Sequence, residues 1–213
     1  MNKFWSLLLT RFTWLTLLIA SALSANAQPA NPHVLLETPM GNIQVELYLD
    51  KAPLSAGDFL AYVQQGLFDN QLGFHRVVRP DNDHGTPVIS VIQAGLKDGA
   101  QRRAPIAHET TEQTGLKHLD GTLSIARAQP GTGGGSDFFI CVGDQPALDF
   151  GAKRNPDGQG FAAFGRVVSG MEVVRKINAL QGVSTGQDDY VDGQILAEPV
   201  AVTRATLLSS QAQ

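Results

Sequence analysis

The feature that most constrains this fold is a series of short apolar segments, each bounded by turn-forming residues. In residues 43–49 apolar and polar side chains alternate, so an extended strand there has one apolar face and one face that can meet water. A turn at residues 39–42 separates this segment from a strand-like segment at residues 34–38, and the pair predicts a β-hairpin. The chain is therefore expected to be mainly β.

Further strands and two helices are predicted along the chain. Ser55 followed by Asp58 resembles a capping box that begins a helix ending near residue 65, and a second helix is predicted near residues 171–180. Many strands with two short helices favour a closed or nearly closed barrel over a doubly wound sheet. The other strands are predicted at residues 74–78, 88–93, 122–128, 138–142, 161–168 and 200–207.

The beginning of the chain has the pattern of a cleavable export signal. A basic residue at Lys3 precedes an apolar run at residues 12–23, and small residues at 25–27 suit a signal peptidase. The run is shorter than the ~20 residues that a membrane-spanning helix needs. The sequence therefore predicts a signal peptide at residues 1–27, a short leader at 28–33, one domain at 34–208 and a tail at 209–213. The expected location is periplasmic or secreted, without membrane attachment after cleavage.

Charge and cysteine content exclude several classes of function. The formal net charge is −4, and the basic residues are scattered rather than gathered on one stripe, so nucleic acid is not an expected partner. The single cysteine, Cys141, lies in an apolar run and is expected to be a buried, inert thiol. The five histidines show no metal-ligand spacing, so neither a metal nor a cofactor is expected.

Two segments rich in turn formers are expected to be loops. Residues 80–87 contain no large apolar side chain, which predicts a solvated surface loop. Asp81, Asp83 and His84 in it do not match a calcium-loop pattern. The glycine-rich run at residues 131–135 lacks the Gly-Lys-Ser/Thr ending of a phosphate-binding loop and is expected to be flexible.

Five short motifs occur in order along the chain. They are Phe-His-Arg-Val-Val at 74–78, Ile-Gln-Ala-Gly at 92–95, Leu-Ser-Ile-Ala at 123–126, Ser-Asp-Phe-Phe-Ile at 136–140 and Phe-Ala-Ala-Phe-Gly-Arg-Val at 161–167. The ordered set covers about residues 34–208 and resembles the cyclophilin family of peptidyl-prolyl cis-trans isomerases. This resemblance implies a closed eight-stranded antiparallel barrel capped by two helices, with the substrate proline bound in a groove on the outer face of the barrel.

The resemblance also implies roles for individual residues. Arg76 matches the catalytic arginine and Gln93 the glutamine of the groove. Phe139 and Leu148 match the floor of the proline pocket, since Phe138 and Phe139 must point to opposite faces of a strand. The full set of substrate-binding positions that the resemblance implies is Gln93, Val91, Ser90, Ala126, Arg127, Asp137, Phe139, Leu148 and Phe161.

These residue types suit rotation about an X-Pro bond. The bond resists rotation by ~18–20 kcal/mol because the nitrogen lone pair is shared with the carbonyl. A guanidinium that hydrogen-bonds the prolyl nitrogen stabilises the twisted state more than either planar state. Apolar walls hold the proline ring and exclude water. This chemistry requires no nucleophile, metal or cofactor.

Four positions depart from the family pattern. Ser90 stands where a phenylalanine is usual, and Phe161 replaces a histidine or tyrosine while keeping a ring. Asp137 replaces a glutamine; a carboxylate near Arg76 would hold the guanidinium away from the substrate, so Asp137→Gln is expected to raise activity. Ala147 replaces a tryptophan or other aromatic residue, which implies weak binding of cyclosporin.

The sequence leads to two functional hypotheses. The first is an exported prolyl isomerase that accelerates a slow folding step in unfolded or folding exported proteins. The alternative is a chaperone or scaffold that binds proline-containing segments with little or no turnover. Arg76 and Gln93 favour the enzyme, whereas Ser90 and Asp137 keep the alternative open. A monomer is expected, because no long apolar exposed stretch is evident.

Overall fold

The computed structural model describes residues 31–184, 186 and 188–209. The predicted signal peptide at residues 1–27 lies outside the described residues, as does most of the predicted tail. Within the part of the chain that is described, no helix is long and apolar enough to cross a membrane.

Among the residues that the structure describes, nine antiparallel strands form one sheet. The order of the strands across it is β8-β3-β4-β6-β5-β7-β2-β1-β9. The hairpin expected near residues 34–49 is present as β1 and β2, which pair through Thr38 and Gly41 at the turn. The strands are β1 His33–Thr38, β2 Gly41–Leu47, β3 Leu72–Val78, β4 Val91–Leu96, β5 Thr122–Ile125, β6 Asp137–Cys141, β7 Ala162–Ser169, β8 Ile195–Ala201 and β9 Arg204–Leu208.

The prediction of a closed eight-stranded barrel was wrong, although the mainly β class was right. The segment expected to be one strand at residues 200–207 is divided between β8 and β9, which lie at opposite edges of the sheet. The chain changes partner between them: the Val202 N–H donates to Leu72 O, and the Thr203 N–H donates to Glu37 O, both at 2.9 Å. Val200 and Ala201 pair only with β3, and residues 204–208 pair only with β1, so the ladder is interrupted at residues 202–203 instead of continuing as one strand.

Three α-helices accompany the sheet in the described part of the chain, where two were predicted. The helix α1 spans Pro53–Gln64, α2 spans Thr111–Thr114 and α3 spans Met171–Asn178, and a 3₁₀ turn covers Pro146–Leu148. The four-residue α2 carries a capping box, in which Thr110 and Gln113 satisfy each other's backbone N–H groups.

The capping box predicted at Ser55 is wrong. The N-cap residue of α1 is Ala52, which has no capping side chain, and Ser55 lies inside the first turn. The carboxylate of Glu109, distant in sequence, accepts hydrogen bonds from the backbone N–H groups of Leu54 at 3.1 Å and Ser55 at 2.7 Å. A remote side chain therefore supplies the acceptors that a local cap would supply, in a position that also suits the helix dipole.

The main core lies between the inner face of the sheet and the helices α1 and α3. Phe59 of α1 packs against three aromatic rings, with centroid distances of 5.1 Å to Phe68, 5.1 Å to Phe138 and 5.4 Å to Phe164. Edge and tilted arrangements of this kind are favourable for aromatic rings. A second, smaller apolar cluster is separate from this core and contains Phe139.

Candidate active site

Most residues of the second apolar cluster line a groove of about 570 Å³. Nine of the ten residues predicted for the site line this groove, so the fold brings together positions that are widely separated in sequence. Their individual roles stay predictions. The nine are Arg76, Val91, Gln93, Ala126, Arg127, Asp137, Phe139, Leu148 and Phe161.

Ser90 is the predicted site residue that does not line the groove. Its backbone N–H donates to the side-chain oxygen of Gln145 at 3.1 Å, and its carbonyl accepts from the Val142 N–H at 3.0 Å. Ile89 occupies the groove wall instead, together with Val91. Alternation was the available signal, because residues 89 and 91 share a face of an extended segment whereas residue 90 points away.

A β-bulge turns Arg76 toward the groove. The ladder between β3 and β4 pairs Phe74 with Ala94 and Arg76 with Gln93, which leaves His75 as an extra residue. In a regular strand residues 74 and 76 would share a face. The extra residue changes the register, so that Phe74 remains in the main core while Arg76 lies in the groove.

Two glutamine side chains hold the guanidinium of Arg76. Gln93 accepts from Nη1 at 3.2 Å, and Gln194 accepts from Nε at 2.8 Å and from Nη2 at 2.6 Å. Tyr190 lies alongside, with its ring centroid 5.7 Å from the guanidinium carbon. Burial lowers the pKa of Arg76 from its usual very high value, but an arginine remains charged at neutral pH. Gln194 and Tyr190 had no sequence signal, because neither lies in one of the ordered motifs.

The floor of the groove is aromatic and nearly closed to water. The rings of Phe139 and Phe161 meet edge to face at 5.2 Å and 90°. Phe139 is 5% exposed and Leu148 is 1% exposed. Arg127 lies over the Phe161 ring at 5.4 Å and is itself paired with Asp157. The result is an apolar cleft with charged groups at its edge.

A series of hydrogen-bonded polar side chains lies beneath Phe139. The His118 ring stacks on Phe139 with centroids 6.0 Å apart. Its Nδ1 is 2.8 Å from the Asp149 carboxylate, and its Nε2 is 2.9 Å from Ser124 Oγ. Burial lowers the pKa of His118, although the carboxylate opposes this. Burial disfavours the Asp149 anion, but hydrogen bonds from His118 outweigh it and hold the pKa of Asp149 below its usual range.

Asp137 does not restrain Arg76. Its carboxylate pairs with Arg102 at 2.6 Å and accepts from Ser136 Oγ at 2.7 Å. The expectation that Asp137→Gln would raise activity depended on a carboxylate beside Arg76, and the observed pairing removes that reason.

The expectation that residues 80–87 form a surface loop is confirmed, since most of them are exposed and none lies in a helix or strand, but the side chain of Asp83 anchors the loop to the domain. The Asp83 side chain has no exposed area and forms an ion pair with Arg154 at 2.8 Å. Burial disfavours the Asp83 anion, but hydrogen bonds from Arg154 and the backbone N–H groups of Gly85 and Ile89 outweigh it and lower its pKa. The loop thereby places Ile89 at the groove.

The glycine-rich run at residues 131–135 was expected to be flexible, but it is packed closely against its neighbours. A Cβ atom on Gly133 would lie 2.6 Å from Ala126 O, and one on Gly135 would lie 2.6 Å from the backbone nitrogen of Phe59. The Gly135 N–H also donates to Asp58. Glycine is needed here for close approach of the run to α1 and to the groove wall.

Cys141 is fully buried in the second apolar cluster, and burial raises the pKa of its thiol. Thiol reactivity requires the thiolate, so Cys141 is not a nucleophile at neutral pH.

The sequence was compared with known proteins. The family model described as cyclophilin type peptidyl-prolyl cis-trans isomerase/CLD matches residues 33–205. The chain is 34% identical over 197 residues to peptidyl-prolyl cis-trans isomerase A of Dickeya dadantii, covering 91% of this chain and 94% of the relative. It is 34% identical over 174 residues to peptidyl-prolyl cis-trans isomerase B of Escherichia coli, covering 80% of this chain and 99% of the relative.

Solved structures share the fold. A Cryptosporidium parvum cyclophilin type peptidyl-prolyl cis-trans isomerase superposes with a TM-score of 0.62 at 20% identity, covering 85% of this chain and 99% of that one. A second structure of that protein, in the presence of the dipeptide Ala-Pro, gives a TM-score of 0.61 at 20% identity and covers 84% and 99% of the two chains.

Proposed function

The chain belongs to the cyclophilin type family of peptidyl-prolyl cis-trans isomerases, and on this premise we propose that Arg76 is the group that lowers the barrier to X-Pro rotation in its groove. The reaction class is that of the family: interconversion of the cis and trans forms of the bond that precedes a proline. The observation that carries the proposal is a charged guanidinium held by two neutral amides at the edge of an apolar cleft.

The barrier to this reaction is electronic. Sharing of the nitrogen lone pair with the carbonyl makes the planar amide resist rotation by ~18–20 kcal/mol. As the bond twists, the lone pair returns to the nitrogen, which then becomes a hydrogen-bond acceptor. A donor directed at this nitrogen therefore stabilises the twisted state and leaves both planar states unaffected.

Arg76 retains the donors for this role. A guanidinium has five N–H groups, and the bonds to Gln93 and Gln194 use three of them. Within the described residues Arg76 forms no ion pair with a carboxylate, so its charge is not neutralised by a direct partner. Its partly desolvated position strengthens any hydrogen bond to a substrate.

The apolar cleft suits a proline ring. Val91, Phe139, Leu148 and Phe161 form a surface with one aromatic edge-to-face pair and little exposed area. A ring held against this surface stays still while the carbonyl side of the bond turns, which supplies orientation as well as exclusion of water. No covalent bond forms or breaks in this mechanism, so the side chains need only bind and donate.

The clients we propose are unfolded or folding exported proteins that contain proline. The signal-like sequence at residues 1–27 supports this proposal, together with a location in the periplasm or outside the cell. The role is assistance of folding, because uncatalysed isomerisation takes tens of seconds or more. We also propose a monomer, and weak binding of cyclosporin because Ala147 offers no aromatic surface beside the groove.

The test is the rate of cis/trans exchange of a short X-Pro peptide, measured by NMR with protein that starts at Gln28. The Arg76→Ala variant should lose about 100- to 1,000-fold of the acceleration, which is typical for removal of a donor to a developing charge. The matched control is Arg166→Ala, because Arg166 is an exposed arginine on β7 that pairs with Glu46 of β2 and does not line the groove.

Each outcome has a definite meaning. Acceleration that is lost with Arg76→Ala and kept with Arg166→Ala supports the mechanism. Full acceleration by a folded Arg76→Ala variant would show that another group lowers the barrier. A wild-type protein that perturbs the peptide resonances without accelerating exchange would instead be a proline-binding module.

A further inference from the structure

Gln194 is a fully buried residue directly before β8, and none of the ordered sequence motifs contains it. Its side-chain oxygen accepts two hydrogen bonds from Arg76, at 2.8 Å from Nε and 2.6 Å from Nη2. Arg76 and Gln194 are 118 positions apart in the chain. The contact between them exists only because β8 pairs with β3, where Arg76 is opposite Ile195.

The orientation of the Gln194 amide is determined on both sides. Its Nε2 donates to the backbone oxygen of Asn82 at 2.6 Å, so its oxygen must be the end that faces Arg76. Arg76 presents only donors, which permits no other orientation. The backbone is held too, because the Val77 N–H donates to Gln194 O and the Gln194 N–H donates to Val191 O.

Asn82 links this amide to the loop at residues 80–87. Its side-chain nitrogen donates to Val77 O at 3.2 Å and Gly193 O at 3.1 Å, while its side-chain oxygen accepts from the Arg79 N–H at 2.7 Å. Hydrogen bonds thus link Asn82 to Gln194 and also to Val77 and Gly193, the residues that hold or precede Gln194. The loop therefore supports the residue that contacts the guanidinium.

We propose that Gln194 is the positioning residue of Arg76, and this inference rests on the function proposed above for that arginine. Two bonds to one oxygen restrict rotation of the guanidinium about its side-chain torsions, so its unused N–H groups keep one direction. A neutral amide does this without cancelling the positive charge, whereas a carboxylate in the same place would form an ion pair. Gln93 restrains the opposite edge through one longer bond.

The first test compares Gln194→Met with the wild type. Methionine has a similar length and no hydrogen-bonding amide. The Nε–H resonance of Arg76, assigned by its absence in Arg76→Ala, should move toward the position of a free arginine and exchange faster with water. The kcat for an X-Pro peptide should fall by about 10- to 100-fold while KM changes little, because the arginine is misplaced rather than absent. Gln44→Met is the control, since Gln44 bonds His33 on the hairpin and should leave both readouts unchanged.

The second test uses Gln194→Glu, which keeps the shape and adds a charge. The kcat should fall at neutral pH through ion pairing with Arg76, and it should recover as the pH is lowered and the new carboxyl is protonated. Because an ionised carboxylate facing Asn82 O would also destabilise the fold, unfolding is measured over the same pH range, and only a fall in kcat of the folded variant supports positioning. If Gln194→Met does not fold, Gln194→Glu supplies the same two readouts.

The inference and the proposed function fail in different ways. An unchanged Arg76 resonance in a folded Gln194→Met variant would overturn the inference, as would a shifted resonance with unchanged kcat. Full activity of Arg76→Ala would instead overturn the proposed role of Arg76, and the resonance would still report whether Gln194 positions it.

Discussion

Asp83 and Arg154 form a two-point ion pair, with both nitrogen–oxygen distances at 2.8 Å. The side chains are 0% and 4% exposed. Arg154 also donates to Pro87 O and to the Tyr190 hydroxyl. Four of the five guanidinium N–H groups of Arg154 thus have acceptors, and each Asp83 oxygen accepts a second bond from a backbone N–H, which is the condition under which a buried pair can be tolerated. The pair joins the loop at residues 80–87 to the segment that follows the floor residue Leu148.

Breaking this pair should destabilise the protein. We expect Asp83→Asn or Arg154→Met to lower the free energy of unfolding by about 3–5 kcal/mol, because each leaves a buried charge without its partner. The measurement is denaturant unfolding at pH 7. The double variant Asp83→Leu with Arg154→Met is the control, since it removes both charges and should recover part of the loss. Equal stability of the single variants and the wild type would contradict the expectation.

The same pair predicts sensitivity to acid. The pKa of Asp83 is lowered in the folded state, so its contribution to stability is present above the unfolded value of about 3.9 and is lost as the pH falls through the folded value. Stability curves of wild type and Asp83→Asn should therefore converge under strongly acidic conditions. Curves that remain parallel down to low pH would argue against ionisation of Asp83 as the source.

His118 should make stability depend on pH in a milder range. Its pKa is lowered by burial, so the folded state keeps it neutral while the unfolded chain takes up a proton near pH 6.5. Stability is fully present above about pH 6.5 and decreases as the pH falls toward the folded value. We expect this decrease to be shallower in His118→Gln, measured by unfolding between pH 8 and pH 5. If stability fell equally steeply with pH in the wild type and the variant, other groups would be the cause of the decrease.

Phe138 and Phe139 form a matched pair, because adjacent residues on β6 face opposite sides of the sheet. Phe138→Leu should lower thermal stability with little change in KM, since this ring is in the main core. Phe139→Leu should raise KM for an X-Pro peptide by roughly tenfold, because it removes contact area from the groove floor. Steady-state kinetics on both variants, with melting curves, separate the two effects. Equal changes in KM for the two variants would contradict the assignment of Phe138 to the core and Phe139 to the groove.

Gly135 should tolerate no side chain. A Cβ there would lie 2.6 Å from two backbone atoms of Phe59, which cannot move without displacing α1. We expect Gly135→Ala to lower the free energy of unfolding by about 1–3 kcal/mol. Gly134→Ala is the control, because its nearest contact is the Asp58 carboxylate at 3.2 Å. The result would be contradicted if the two variants were equally stable.

Asp137→Gln should now have a small effect. Arg102 and Asp137 form a pair that is 41% and 37% exposed, and such pairs contribute about 0–1 kcal/mol. Because the carboxylate does not contact Arg76, kcat for an X-Pro peptide should stay within about twofold of the wild type. A large rise in kcat would show that Asp137 restrains Arg76 when substrate is bound.

Local patterns in the sequence determined much of this protein. Alternation located the hairpin and placed Phe138 and Phe139 on opposite faces, because side-chain direction along a strand has a period of two. The family resemblance carried by the ordered motifs selected nine residues that the fold brings to one groove, and six of them lie in the motifs themselves. Helix α3 begins at Met171, at the predicted position. Each of these features depends on neighbours within a few residues, which a sequence displays directly.

Only the tertiary structure decided how the groove is supported. The bulge at His75 depends on the register with β4, and without it Phe74 and Arg76 would share a face. Glu109 caps α1 from a distance in sequence, and Gln194 reaches Arg76 across 118 positions. These partners are chosen by strand order and by the requirement that every buried polar group finds a hydrogen bond. That requirement acts on the folded chain as a whole, so no local segment of sequence reveals which partner meets it.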